Sequence, residues 1–411
     1  MGASTMSSSV LADLLRPGDQ VLVGQAVSEP TGLVQALFEL APRIHGLEAF
    51  CGLSLNPAWS QDVPEALSVA TYCGVGTLGP LVGRGGARVM PSSLSQLTAL
   101  LAARKLPADV VFLQVSPADA QGYHSPACTI DYAWDAVKTA RAVVVEINHS
   151  IPALRCDTRI HTSKVVIAGQ TDRPLPQQLE QAPAEVHRQV AAQVARLIPD
   201  GATLQLGIGG LAVAVAQALR DRRGLKLRSG MIGDWFLDLL AAGALDTDGP
   251  DACLASLAVG SQALYDSVSP TGVLGFAAPA KLVQGVSGSP FMAINSAIEV
   301  DVYGQVNAEF LGQRYVGTVG GQPDYFRAAR RSQGGLAILA LPASSGRQAT
   351  SRIVERLEGA YVTTAQTEVD CIVTENGIAD IRATDFRQRR SLIAGIADAR
   401  VREVLEQGPR P

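Results

Sequence analysis

Residues 184–210, AEVHRQVAAQVARLIPDGATLQLGIGG, hold the fold in miniature. Up to Ile198 the apolar residues recur at helical spacing, Pro199-Asp200-Gly201 has turn composition, and ATLQLGIGG is a short apolar strand that runs into a glycine bend. The opening of the chain, LADLLRPGDQVLVGQ (11–25), has the same order of helix, Pro-Gly-Asp turn and strand ending in glycine. Outward from these two starts, buried strands are expected at 20–25, 110–116, 142–148 and 203–209. TGLVQALFELAPRI (31–44) and LSQLTALLAARKL (94–106) place their apolar residues at helical spacing between them. Short apolar runs alternating with amphipathic helices are the pattern of βα units and a parallel sheet. The polar, proline-containing stretch 169–185 reads as a linker between two rounds of this pattern. The expectation is an α/β protein of two related domains, 1–180 and 181–411, with largely parallel sheets.

A length of 411 residues suits two cores. The net charge of −4 provides no basic field, which argues against nucleic acid as a partner. The six cysteines at 51, 73, 128, 156, 253 and 371 form neither a CxxC pair nor a zinc spacing, so buried free thiols in a reducing, cytoplasmic setting are expected, and no metal. The first residues lack the basic and apolar regions of a signal peptide, and no apolar run reaches membrane-spanning length.

Chemistry concentrates in 291–326, FMAINSAIEVDVYGQVNAEFLGQRYVGTVGGQPDYF. It combines a strand with acidic residues at Glu299 and Asp301, a polar turn at 304–309, and a glycine-rich loop at 317–321. Gly320-Gly321 lets backbone N–H groups approach a ligand and face an anionic or developing oxyanion oxygen, although a hairpin corner leading into a helix has similar composition. Carboxylates at Glu299, Asp301, Glu309, Asp324, Glu375 and Asp380 fall near strand ends or glycine turns, where solvation and helix capping compete with chemistry. A carboxylate can attack a thioester to give an acyl anhydride if an oxyanion hole is present.

Three other motifs say less. Gly207-Ile208-Gly209-Gly210 resembles half of a dinucleotide fingerprint but lacks the full spacing and its acidic partner. Arg84 and Arg88, in GRGGAR, suit phosphate oxygens and equally a solvated loop. His124 follows a strand end where open sheets bind ligands, and is open to a base's role or a structural one. No serine-histidine-aspartate set or nucleophile elbow can be assembled.

Taken together, the strings GDQVLVGQAVSEP, LQVSPADAQGY, INHSIP, LIPDGATLQLGIGG, NSAIEVDVYGQVNAE, VGGQPDYF and VTENGIADIR resemble, in order, the acetyl-CoA hydrolase/transferase family. These are the class I CoA-transferases related to 4-hydroxybutyrate CoA-transferase. The resemblance covers nearly the whole chain. It implies two α/β domains of CoA-transferase type, an active site in the cleft between them, a homo-oligomer such as a dimer, and acyl-CoA as substrate without a tightly bound cofactor.

Typical members work by ping-pong chemistry through a glutamyl anhydride. The string that carries their glutamate corresponds here to LKLRSGMIGD (225–234), in register with the downstream DWFLDLLAAGAL, and the glutamate position is Gly230. Trp235 beside it would reshape the acyl pocket. Arg382-Ala383 and Cys156-Asp157 are further departures from the family pattern.

Three functions are open to such a chain. The first is acyl transfer or thioester cleavage by direct attack of water or a small acceptor, with Glu299, Asp234, Glu309 or His124 as base. The second is an orthodox CoA-transferase with Glu299 as nucleophile. The third is a non-catalytic CoA-binding protein. On the first reading Gly320 and Gly321 orient the thioester oxygen within a loop that includes Gly317 and Val319, and Gln322 and Asp324 fix that loop. Asn295 and Glu299 line the reacting end, and Arg84 and Arg88 meet the CoA phosphates.

Overall fold

The computed structural model describes residues 5, 6, 8–284, 287–346, 350–359 and 361–408. The chain divides into two compact units. The first contains Met1–Gln178 and Ala255–Lys281, the second Leu179–Leu254 and Leu282–Pro411.

Among the described residues the sheet of the first unit has eight strands: β1 (Thr5–Met6), β2 (Gln20–Val23), β3 (Glu48–Cys51), β4 (Ser68–Thr71), β5 (Arg88–Val89), β6 (Val110–Val115), β7 (Ala142–Asn148) and β8 (Val166–Thr171). Their order is β1-β8-β7-β6-β2-β3-β4-β5. All pairs are parallel except the short β1, which runs antiparallel to β8. Every residue of β6 and all but the first of β7 are buried, as expected for strands covered on both faces. The helix Thr31–Leu40 adds Leu33, Val34, Leu37 and Phe38 to one core, where the Phe38 ring meets that of Trp59 edge-on at 5.1 Å.

The return segment Ala255–Lys281 is bound into this unit by main-chain hydrogen bonds from Ile130 to Ser256, Ala258 to Cys128 and Phe276 to Arg155, at 2.7, 3.0 and 2.9 Å. The six cysteines are free thiols, and Cys156 alone among them is not fully buried.

In the second unit β9 (Thr203–Leu206), β10 (Lys226–Ile232), β11 (Phe291–Asn295), β12 (Leu336–Ala340), β13 (Cys371–Thr374) and β14 (Gly377–Asp380) lie in the order β10-β9-β11-β12-β13-β14. They are parallel except for the β13–β14 hairpin. Four helices of this unit bear on its chemistry: α1 (Glu185–Ala195), α2 (Gly210–Ala218), α3 (Trp235–Ala241) and α4 (Gln322–Arg331). Alanine and valine fill α2 and allow its close packing, with Ala212, Val213, Ala214, Val215 and Ala216 all buried.

The stretch 169–185 carries the passage of the chain from the first unit to the second, as expected of a linker, and its residues 172–184 form neither helix nor strand. Its first three residues complete β8, Gln178 donates its N–H to Gly260 at 3.1 Å within the first unit, and 179–185 belongs to the second. Among the described residues no helix is long and apolar enough to cross a membrane, and no cluster of His, Cys, Asp and Glu could hold a metal ion.

Candidate active site

In an open parallel sheet ligands bind beyond the carboxyl ends of the strands. At that edge of the second unit β9 ends at Leu206 and turns through Gly207 and Gly209, the latter with a φ of +94° that only glycine adopts readily, into α2. Beside it β10 ends at Ile232 and passes through Gly233 and Asp234 into α3. Trp235 packs back with its indole N–H donating to the Gly207 carbonyl at 3.0 Å, so the two turns are tied together. On β11, Asn295 and the neighbouring Gln205 of β9 exchange amide hydrogen bonds of 2.7 and 3.3 Å.

The glycine loop adjoins this edge. Gly317 donates its N–H to the Glu309 carbonyl at 3.0 Å, and a methyl group on it would stand 2.0 Å from the Ala308 carbonyl oxygen, so no larger residue fits. Gly320 is left-handed at φ +55° and leads into Gly321, the N-cap of α4. The Gln322 amide donates to the Ser296 carbonyl at 2.9 Å and accepts from the Thr364 hydroxyl at 2.8 Å, pinning the start of α4 to the residue after β11. Val319 lies between the two glycine positions, half-buried, and Asp324 sits buried in the first turn of α4, 4.0 Å from the Arg327 guanidinium.

The acidic candidates are more constrained. Glu299, half-buried on the short strand Glu299–Asp301, accepts from the Asn307 amide at 2.9 Å. Glu309 is buried and accepts from Thr363 at 2.8 Å. Asp301 closes a turn by accepting the N–H groups of Tyr303 and Gln305, and burial pushes its carboxyl above the usual range.

Three sequence candidates belong to the first unit, where each is held by protein. His124 is buried, with Nδ1 2.7 Å from the Ser116 carbonyl and Nε2 3.1 Å from the Thr162 hydroxyl, so both ring nitrogens are occupied in bracing a loop. Arg84 donates to the Ser60 carbonyl at 2.9 Å, and Arg88 is ion-paired with Glu48. Two buried carboxyls stand out in this unit, Asp131 and Glu29, of which Glu29 accepts from Ser54, Asn56 and Trp59 at 2.5, 2.9 and 2.8 Å. Burial outweighs these donors and pushes its carboxyl up to about 7.

Gly230, where the resemblance led the glutamate to be expected, faces Tyr325 of α4. A methyl group there would stand 3.0 Å from the Tyr325 hydroxyl, which is buried and has no hydrogen-bond partner. Tyr325 therefore fills the room into which a side chain at 230 would extend.

Sequence reasoning missed Tyr325, and with it Glu180, His187 and Arg352. The Glu180 carboxylate accepts the backbone N–H groups of Asp234 and Trp235, and burial, then Asp234, push it up to about 7. His187 lies over Gly210, where a methyl group would meet its Nδ1 at 2.9 Å. Burial and the Arg352 charge lower its basicity. His187 was legible in one respect, because it shares the stripe of Val190, Ala191 and Val194 that α1 buries. Glu180 had no such signal.

The two units are α/β with largely parallel sheets, and comparison with known proteins shows this to be the fold of CoA-transferases. Residues 4–178 match the acetyl-CoA hydrolase/transferase N-terminal domain and residues 260–408 the C-terminal domain of the same name. The chain belongs to the acetyl-CoA hydrolase/transferase family. It is similar to 4-hydroxybutyrate coenzyme A transferase of Clostridium kluyveri, at 32% identity over 94% of this chain and 92% of that protein. Among solved structures it is similar to RipA from Yersinia pestis, with a TM-score of 0.86 and 25% identity over 98% of this chain and 95% of that one. It also resembles a 4-hydroxybutyrate CoA-transferase from Porphyromonas gingivalis, with a TM-score of 0.80 and 28% identity over 97% of this chain and 95% of that one. The family acts on acyl-CoA by CoA transfer or by cleavage of the thioester.

Proposed function

We propose that this protein moves the acyl group of a CoA thioester to water or to a small acceptor by direct attack, without a glutamyl-anhydride intermediate. The observation that carries the reading is at position 230, where glycine supplies no nucleophile and Tyr325 takes up the space. The thioester oxygen would be oriented by the backbone of Gly320 and Gly321, on a loop held by Gln322 and Asp324, with Asn295 and Val319 beside the reacting end. Coenzyme A enters as part of the substrate and leaves as a product.

A panel of acyl-CoA thioesters, with water alone and then with carboxylate, alcohol and amine acceptors, provides the test. Release of CoA is expected from at least one combination. Borohydride trapping and mass spectrometry of the protein during turnover should find no glutamyl-CoA adduct. An adduct at Glu299 would replace this reading with the orthodox transferase, and tight binding of acyl-CoA with no release from any combination would replace it with a non-catalytic one.

A further inference from the structure

The segment 179–187 lays ionisable side chains directly over the glycine turns at the ends of β9 and β10. Glu180 lies over Gly233, where a methyl group would stand 2.0 Å from its Oε1. His187 lies over Gly210, and the Pro183 α-carbon would be 3.8 Å from a methyl group on the same glycine. Two neighbouring strand-to-helix turns thus keep glycine where one crossing segment needs room.

The two side chains share a second property. Glu180 Oε1 and His187 Nδ1 are both buried atoms without a hydrogen-bond partner in the protein. A carboxylate kept for structure looks different, as Glu29 shows with its three side-chain donors. Glu180 has its orientation fixed by the N–H groups of Asp234 and Trp235 and still has an oxygen to spare.

We infer that Glu180 is the proton-transfer residue of this site, a carboxylate supplied by the crossing segment to the turn beyond Gly230. The inference rests on the direct-attack reading above. As the acceptor oxygen or nitrogen bonds to the thioester carbonyl carbon, Glu180 takes its proton and the carbonyl electron pair moves to oxygen. When the carbonyl re-forms, the carbon–sulfur bond breaks and Glu180 returns the proton to sulfur. CoA then leaves as a thiol, and no reactant beyond thioester and acceptor is required.

The charges facing Glu180 are Asp234 and Asp238, the latter paired with Arg220 at 3.0 Å. Both aspartates oppose ionisation, and with burial they bring the carboxyl to about 7, where a base can both accept and return a proton. Since the carboxyl is protonated below that value, the rate should rise with pH through about 7 and level off above it.

Glu180→Gln in the full chain tests this, using whichever acyl-CoA and acceptor the wild type turns over. The expected result is a fall in kcat of about 100-fold or more with KM for acyl-CoA within about threefold, and loss of the limb near pH 7. The Tm should hold or rise, because the amide removes the repulsion from Asp234. Gly233→Ala, which pushes Glu180 off its seat, should reproduce the fall in kcat. Wild-type kcat and an unchanged pH profile in Glu180→Gln overturn the inference and leave the thioester reading standing. So does a loss of kcat that accompanies a lowered Tm with the pH limb intact, the mark of a helix cap. A wild type that releases no CoA at all removes the thioester reading itself.

Discussion

At the scale of single residues the decisive pair is Gly230 and Tyr325. A buried hydroxyl without a partner costs about 1–3 kcal/mol, so Tyr325→Phe is expected to raise stability by about 1 kcal/mol, read from the urea midpoint. Gly230→Glu should cost about 1–3 kcal/mol through overpacking against the phenol, and should cost less than that when introduced into a Tyr325→Ala background. An equal cost of Gly230→Glu in the wild-type and Tyr325→Ala backgrounds would show that the two positions do not compete for space. Gly317→Ala should be worse tolerated than Gly230→Ala, since its methyl group meets a main-chain carbonyl and not the end of a side chain. Glu29 adds a pH effect of definite sign. Its carboxyl titrates near 7 when folded and near 4.5 when free, so the folded state holds the proton more tightly. Its contribution to stability should therefore fall by about 3 kcal/mol as pH rises from 4.5 to 7 and stay level above; buried Asp131, also pushed up to about 7, contributes in the same direction. Glu29→Gln should reduce the fall of stability with pH in denaturant titrations run at several pH values.

At the scale of elements, much of the molecule could be read in advance. Runs such as VVFLQV (110–115) and AVVVEIN (142–148) are almost wholly apolar because helices and neighbouring strands cover both faces, and they became strands at nearly the expected bounds. The glycine loop at 317–321 was legible too, because a left-handed Gly320 and the crowded Gly317 leave a composition that few other structures want. The residues that segment 179–187 brings to the sheet edge were not legible. A proline-rich coil has no period from which a direction can be inferred, and what Glu180 meets depends on a turn more than fifty residues later in the chain. His124 misled for the opposite reason: its sequence position beyond a strand end was sound, but the loop it braces uses both ring nitrogens. The glycine loop can be probed as an element. Gly320→Val forces a branched side chain into a left-handed backbone at the entrance to α4, and turnover should be abolished while the far-UV circular dichroism is kept. Unchanged turnover would show that this loop does not hold the thioester oxygen.

At the scale of the whole molecule, the order of the chain and the order of its packing differ. The first unit is completed by Ala255–Lys281, which come only after 76 residues of the second, Leu179–Leu254. During synthesis the early sheet can form its strands as they emerge, but the unit is not complete until residue 281 has left the ribosome. Domains tend to fold as units and in order of synthesis, so this arrangement imposes a wait. A nascent chain stalled near residue 200 should remain sensitive to protease in its first unit, whereas one stalled near residue 320 should be resistant there. Translation thus sets a clock on assembly: the half that is made first is finished only when much of the other half already exists.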